Sequence, residues 1–127
     1  MNFVRNAVGA MVLSFAVTAQ ASAPICSTSG GQGYCQYSGT ISSAYVNSSG
    51  QILVYFDTPL DLSLPVSVGI GGVTVGAACI YPIASNPDYA KMLYASVLAA
   101  QARGSSVTMQ LWGTNGGYMI CDRIWNY

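Results

Sequence analysis

Residues 86–106, NPDYAKMLYASVLAAQARGSS, form the one window of this 127-residue chain that supports a long helix. The rest is rich in Gly, Ser and β-branched residues, so few architectures remain open. Ser85 or Asn86 can accept from the first free N–H groups, Pro87 suits the first helical position, and Asp88 complements the N-terminal dipole. Arg103 in the last turn and Gly104 just beyond it mark the C-terminal end. At helical spacing, Tyr89, Ala90, Leu93, Val97 and Ala100 make one stripe, flanked by Tyr94 and Leu98, and this is the expected core face. Ala95, Ala99 and Ala102 make a second stripe nearly opposite. Alanine is the strongest helix former and tolerates a surface. The helix interior, however, holds only Lys91 and Arg103 as charges. A helix apolar on both sides is expected to be buried on both, by its own sheet and by neighbouring subunits.

The strands read from their alternation. In YCQYSGTISSAYV (34–46), Tyr37, Ile41 and Tyr45 share one parity and Ser38, Thr40 and Ser42 the other, the period of a half-buried strand. NSSG (47–50) turns the chain into QILVYFD (51–57), apolar on both parities, and the two make a hairpin. Residues 58–65 carry two prolines that exclude a central strand. VSVGIGGVTVGAACIYPI (66–83) is β-branched and broken by glycines. It predicts a strand with bulges, or a second hairpin at Gly71-Gly72. After the helix, SVTMQLW (106–112) alternates with Val107, Met109 and Leu111 on one face. GTNGG (113–117) turns it into YMICDRIW (118–125). The order is three strands, helix, two strands, which predicts a mainly β (α+β) domain: a small antiparallel barrel of five or six strands with one helix between strands three and four.

Residues 1–21 read as a signal peptide. Arg5 supplies the positive region, the apolar run from Ala7 to Val17 is too short to span a bilayer, and small residues offer cleavage after Ala21 or after Ala23. Residues 22–127 are then a single domain, exported to the periplasm or secreted. Cys26, Cys35, Cys79 and Cys121 all lie beyond the leader, and an even count in an exported chain predicts disulfides. Of the three connectivities open to four cysteines, a local loop Cys26–Cys35 plus a core staple Cys79–Cys121 best suits a small barrel. Zinc is disfavoured because no CxxC spacing is present.

Past the leader, Lys91, Arg103 and Arg123 face Asp57, Asp61, Asp88 and Asp122. With no basic patch, nucleic acid and anionic membrane surfaces are poor partners, and no membrane insertion is expected. There is no histidine and no glutamate. That removes His-based acid–base catalysis and the Ser-His-Asp and Cys-His arrangements, and four scattered aspartates offer no catalytic spacing. GIGG and GTNGG lack the Lys-Ser/Thr of a phosphate loop. The chain reads as a non-enzyme with no cofactor and no metal site. Nine tyrosines and two tryptophans among many hydroxyls remain. They suit a binding surface for sugars, although tyrosines are also enriched in the strands of small β domains.

A leader, three strands, one helix ending in AQARGSSVTMQLW, two strands and a late cysteine together resemble the pentameric B subunits of bacterial AB-type toxins. The subtilase-cytotoxin and typhoid-toxin B subunits are the nearest likeness. The organisation is similar over about residues 35–125, and the sequence likeness is concentrated in 89–112. The resemblance implies an OB-like barrel, a pentamer whose helix lines the central pore through Ala95, Ala99 and Ala102, and an A-type toxin subunit as partner. It also implies a glycan pocket at Tyr37 and Ser38 of CQYSGTIS, with Thr40 beside them. No Lys or Arg lies between Arg5 and Lys91, so the expected ligand is a neutral glycan rather than an anionic one. The alternative is a periplasmic structural or inhibitor-like domain that binds another protein and no sugar.

Overall fold

The computed structural model describes residues 12–14 and 22–126. The signal-peptide reading of residues 1–21 lies, 12–14 apart, outside them. The chain forms β1 (Ser22–Ser29), β2 (Gln32–Gly39), β3 (Ile41–Val46), β4 (Gln51–Phe56), α1 (Ser63–Ser67), β5 (Val75–Pro82), a 3-10 turn (Ile83–Ser85), α2 (Pro87–Arg103), β6 (Val107–Asn115) and β7 (Tyr118–Asn126). The strands form one sheet in the order β1-β2-β6-β7-β5-β4-β3. No helix among the described residues is long and apolar enough to cross a membrane.

The mainly β, α+β class read from the sequence holds; the closed antiparallel barrel with one helix does not. Among the described residues, the sheet has seven strands, is not closed into a barrel, and is accompanied by two helices. It is mixed because β5 and β7 run parallel. After β5, α2 carries the chain across the sheet, and the β6–β7 hairpin docks with β7 inward, against β5. The extra strand, β1, is hidden in SAPICSTS by a proline and its serines. Pro24 sits where the β1–β2 register shifts between Ser22 and Ile25, a place where a missing N–H is tolerated. The extra helix, α1, lies in the turn-rich stretch. The Asp61 carboxylate accepts from the Ser63 N–H at 2.9 Å and from its hydroxyl at 2.8 Å, starting a turn that Pro65 can enter near its beginning. In 66–83, only Val75–Pro82 is strand, and Gly71-Gly72 makes no hairpin.

One residue fixes the overall shape. Thr40 alone separates β2 from β3, yet β6, β7, β5 and β4 lie between them in the sheet. In a flat sheet that separation is roughly 24 Å at ~4.8 Å per strand. Two peptide steps span at most about 7.6 Å. The sheet must therefore roll until its ends approach, and its inner face becomes the core.

Two irregularities then decide which side chains point inward. In β3, Ile41 pairs with Phe56 and Ser43 with Tyr55, so Ser42 is an extra residue. In β7, Cys121 pairs with Leu111 and Arg123 with Gln110, so Asp122 is extra. Each bulge flips the alternation. Ile41 is buried, but Tyr45, of the same sequence parity, is 44% exposed. The single parity read through Tyr37, Ile41 and Tyr45 holds only as far as Ile41.

The helix α2 closes the open end of the rolled sheet. The Asn86 side chain accepts from the Tyr89 N–H at 3.1 Å, and Gly104 ends the helix in the left-handed conformation at φ 62°. Ala90, Leu93, Val97 and Ala100 are its buried residues, as its stripe predicts. Full burial of Leu93 and Val97 contributes about 1.5–3 kcal/mol each. They pack with Tyr37, Val54, Met109, Leu111 and Met119 around the Cys79–Cys121 disulfide.

Gly76 is where the segment before α1 crosses β5, and the Leu60 N–H donates to the Gly76 carbonyl at 2.8 Å. A Cβ on Gly76 would meet the Leu60 carbonyl oxygen, whereas one on Gly71 would meet nothing within 4 Å. Gly76→Ala is expected to cost about 1–3 kcal/mol in urea unfolding, and Gly71→Ala to stay within about 0.5 kcal/mol of wild type. Equal costs would show that the Leu60 crossing is not tight.

Candidate functional site

The sequence assigns Tyr37, Ser38 and Thr40 to a ligand; the fold uses Tyr37 and Thr40 elsewhere. Tyr37 is 0% exposed and stacks on Phe56 with centroids 4.4 Å apart. Its hydroxyl donates to the Thr40 carbonyl at 2.5 Å and accepts from the Asp57 N–H at 3.2 Å. The Thr40 hydroxyl donates to the Asp57 carboxylate. The three residues form a knot that pins the step from β2 to β3, and Tyr37 presents no ring face to a ligand. Ser38 points to the opposite side of β2, where its hydroxyl lies 3.0 Å from that of the buried Thr108.

Asn47 is likewise structural. Its carbonyl oxygen accepts from the Ser49 and Gln51 N–H groups at 3.0 and 3.1 Å, and its amide donates to the Gln51 side chain at 3.0 Å. On α2, Ala95 and Ala102 are exposed and Ala99 is half-buried. They share the outer surface with Met92, 69% exposed, and Leu98, 40% exposed.

A different constellation comes together on the outer face of β2, β6 and β7. Tyr34 stacks on Trp112 with centroids 4.9 Å apart and planes 17° apart. Two residues further along, Gln36 pairs with Gln110, and the β7 bulge brings Arg123 beside Gln110. Two residues beyond that, Ser38 pairs with Thr108, and Thr108 with Trp125. Three rows result: an aromatic pair, a row of two carboxamides and a guanidinium, and a hydroxyl pair beside a second indole. The Trp112 Nε1–H donates to the Gln110 carboxamide oxygen at 3.4 Å, joining the first two rows. Arg123 pairs with Asp122 at 3.3 Å, which offsets its charge at the surface.

At the aromatic end the face opens into a cleft of about 530 Å³ lined by residues 31–33, 68–71 and 112–114. Glycine shapes it. Gly30 and Gly31, both left-handed at φ 58° and 79°, make the two-residue turn of the β1–β2 hairpin. Gly33 lets the Val68 carbonyl approach so closely that a Cβ would collide with it. Carboxamides and backbone groups supply donors and acceptors together, and the rings supply flat apolar surface, whereas the fully buried Thr108 hydroxyl is engaged with Ser38. Such a face can hold a polyhydroxylated molecule or a polar peptide. Among the described residues, no three His, Cys, Asp or Glu side chains gather where they can hold a metal ion.

Of the residues assigned from sequence, only Ser38 lies on this face. Tyr34, Gln36, Gln110, Trp112, Arg123 and Trp125 escape sequence reading. The alternation of 106–112 does put Gln110 and Trp112 opposite Val107, Met109 and Leu111. Their union with Tyr34 and Gln36 depends on the β2–β6 register, and that of Arg123 on a bulge. No protein-family model matches the chain, and neither a curated protein nor a solved structure does.

The buried tyrosines have a titration consequence. Burial raises the Tyr37 hydroxyl above its ordinary value, against the pull of the backbone N–H groups at Asp57 and Thr58. Burial also raises Tyr89, whose hydroxyl donates to the Cys121 carbonyl at 2.8 Å. The Tyr45 hydroxyl, then burial, push Tyr55 up to about 12. Each raised group keeps its proton in the folded state after the unfolded chain, at about pH 10, has begun to lose it. These three groups therefore leave stability unchanged just below about pH 10 and make it fall as pH rises from there to about 12. Urea midpoints across that interval check it; a constant midpoint would show that these hydroxyls are not held in the fold.

Proposed function

We propose that this chain is an exported, non-catalytic glycan-binding module whose site is the three-row face of β2, β6 and β7. The observation that carries the reading is the Tyr34–Trp112 stack, whose Trp112 also lines a cleft, followed along the strands by Gln36 and Gln110. An aromatic face meets the C–H surface of a sugar ring, and carboxamides meet its hydroxyls. The ion pair of Arg123 with Asp122 favours a neutral glycan over an anionic one. Export is supported by two disulfides and no free cysteine, a pattern suited to an oxidising compartment.

The likeness to toxin B subunits gains support from the pairing order. Taken as one bent strand, β2 and β3 contact β6 on one side and β4 on the other, β5 runs parallel to β7, and α2 lies between β5 and β6. An OB-type barrel is a five-stranded, partly open one, and β1 adds a strand at its edge. On this reading the module assembles into a ring, a pentamer by resemblance, with the outer surface of α2 toward the axis and an A-type subunit as a further partner. The exposed Met92 and Leu98 beside Ala95 and Ala102 support burial of that surface. A structural or inhibitor-like protein binder remains the second reading, favoured by the exposed Val66 on α1 and by the exposed Ile25, which pairs with Gln36 and so adds an apolar side chain to the same face.

Purified protein on a glycan array is expected to bind neutral glycans, and Trp112→Ala to weaken that binding by about tenfold or more. Silence of the wild type across the array would favour the protein-binding reading. Light scattering is expected to give an oligomeric mass for the wild type and a monomeric one for Ala99→Glu, because one like charge per subunit would gather near a common axis. Retention of the oligomer by Ala99→Glu would remove the helix from the interface.

A further inference from the structure

The two disulfides differ in how deeply they sit in the fold. Cys79 and Cys121 are both 0% exposed within the core, between parallel strands β5 and β7. Cys26 and Cys35 are register partners across β1 and β2. Cys35 is buried, whereas Cys26, which packs against the core, is only half-buried, and among the described residues β1 is an edge strand with no strand beyond it. The main contacts of β1 are with β2 and the short α1. A two-stranded hairpin has little stability of its own, so the covalent bond counts for much in holding β1.

The hairpin carries part of the cleft. Its tip, residues 31–33, is one wall, and Tyr34, next to Cys35, is half of the aromatic stack on Trp112. We propose that Cys26–Cys35 is a site of thiol–disulfide exchange with an external dithiol, and that exchange loosens this wall of the cleft. The chain has no free cysteine of its own, so the attacking thiolate comes from another molecule. It attacks the sulfur of the half-buried Cys26 in line with the S–S bond. A bond forms between the reductant sulfur and Cys26, the Cys26–Cys35 bond breaks, and the electron pair leaves on Cys35, which takes up a proton. The second thiolate of the dithiol then attacks the reductant sulfur of the mixed disulfide and releases Cys26, which is protonated in turn. Two electrons have passed to the protein, and the dithiol has become a disulfide. The Cys79–Cys121 pair cannot be attacked until the core opens.

This inference does not depend on what the cleft binds, and neither does its test. The oxidised full chain is incubated with dithiothreitol at neutral pH without denaturant, alkylated at intervals and mapped by peptide mass. Amide exchange is followed on the same samples. Cys26 and Cys35 are expected to become alkylated at least about tenfold faster than Cys79 and Cys121. Exchange should rise over residues 23–34 while β5 and β7 stay protected. Simultaneous reduction of both bonds, or earlier reduction of Cys79–Cys121, overturns the exchange site. Selective reduction with unchanged exchange at 23–34 overturns the loosening of the cleft wall.

Discussion

The single residue between β2 and β3 is the constraint on which the rest of this structure depends. A sheet whose second and last strands are consecutive in the chain cannot be flat. It has to roll, and a rolled sheet has an inside. The knot of Tyr37, Thr40 and Asp57 fixes the direction of the step with hydrogen bonds from three sources: a phenol, a backbone N–H and a threonine hydroxyl. The Tyr37 ring is fully removed from water, where an unmade bond is costly, and no buried side-chain polar atom among the described residues lacks a partner. The position is thus doubly determined, by chain continuity and by bonding.

From that roll follows a division of labour between two faces of the same strands. Inward side chains of β2 and β6, among them Cys35, Tyr37, Met109 and Leu111, build the core with α2. Their outward neighbours, Tyr34, Gln36, Gln110 and Trp112, are half-buried on the other face and are held in place by the strands that bury the others. The bulge at Asp122 extends this face to a third strand by turning Arg123 and Trp125 outward. Side chains fixed on such a scaffold have little freedom left to lose in any contact they make.

Local chemistry was legible in the sequence; relations between distant segments were not. The helix could be placed to the residue because Asn86, Pro87 and Gly104 each act on the backbone next to them. Its buried stripe followed from period alone, and the cysteine pairing from loop size. The break at Thr40 leaves no such mark: the alternation runs through it unbroken, and only the pairing of the two halves with different strands reveals it. The bulges at Ser42 and Asp122 are equally silent, since an extra residue is extra only relative to a partner strand. A tyrosine next to serines reads as a sugar contact until the fold shows its hydroxyl bonded on both sides. The aromatic stack that replaced it joins Tyr34 to Trp112 across a ladder whose register no local rule specifies.

The β2–β6 ladder also sets an order of events. It pairs Cys35 with Leu111, so the two strands that close the roll are drawn from opposite ends of the chain. A chain synthesised from its N-terminus holds both cysteines of the β1–β2 hairpin before Cys79 has been added, and their nearest competitor for pairing is absent. Until β6 is made, however, one long side of β2 is an unpaired edge beside a cross-linked hairpin. Pairings between remote segments form slowly, and an open edge is a template for foreign strands. The step at Thr40 is therefore made early in a nascent chain, while the β2–β6 ladder that the roll requires is secured only late.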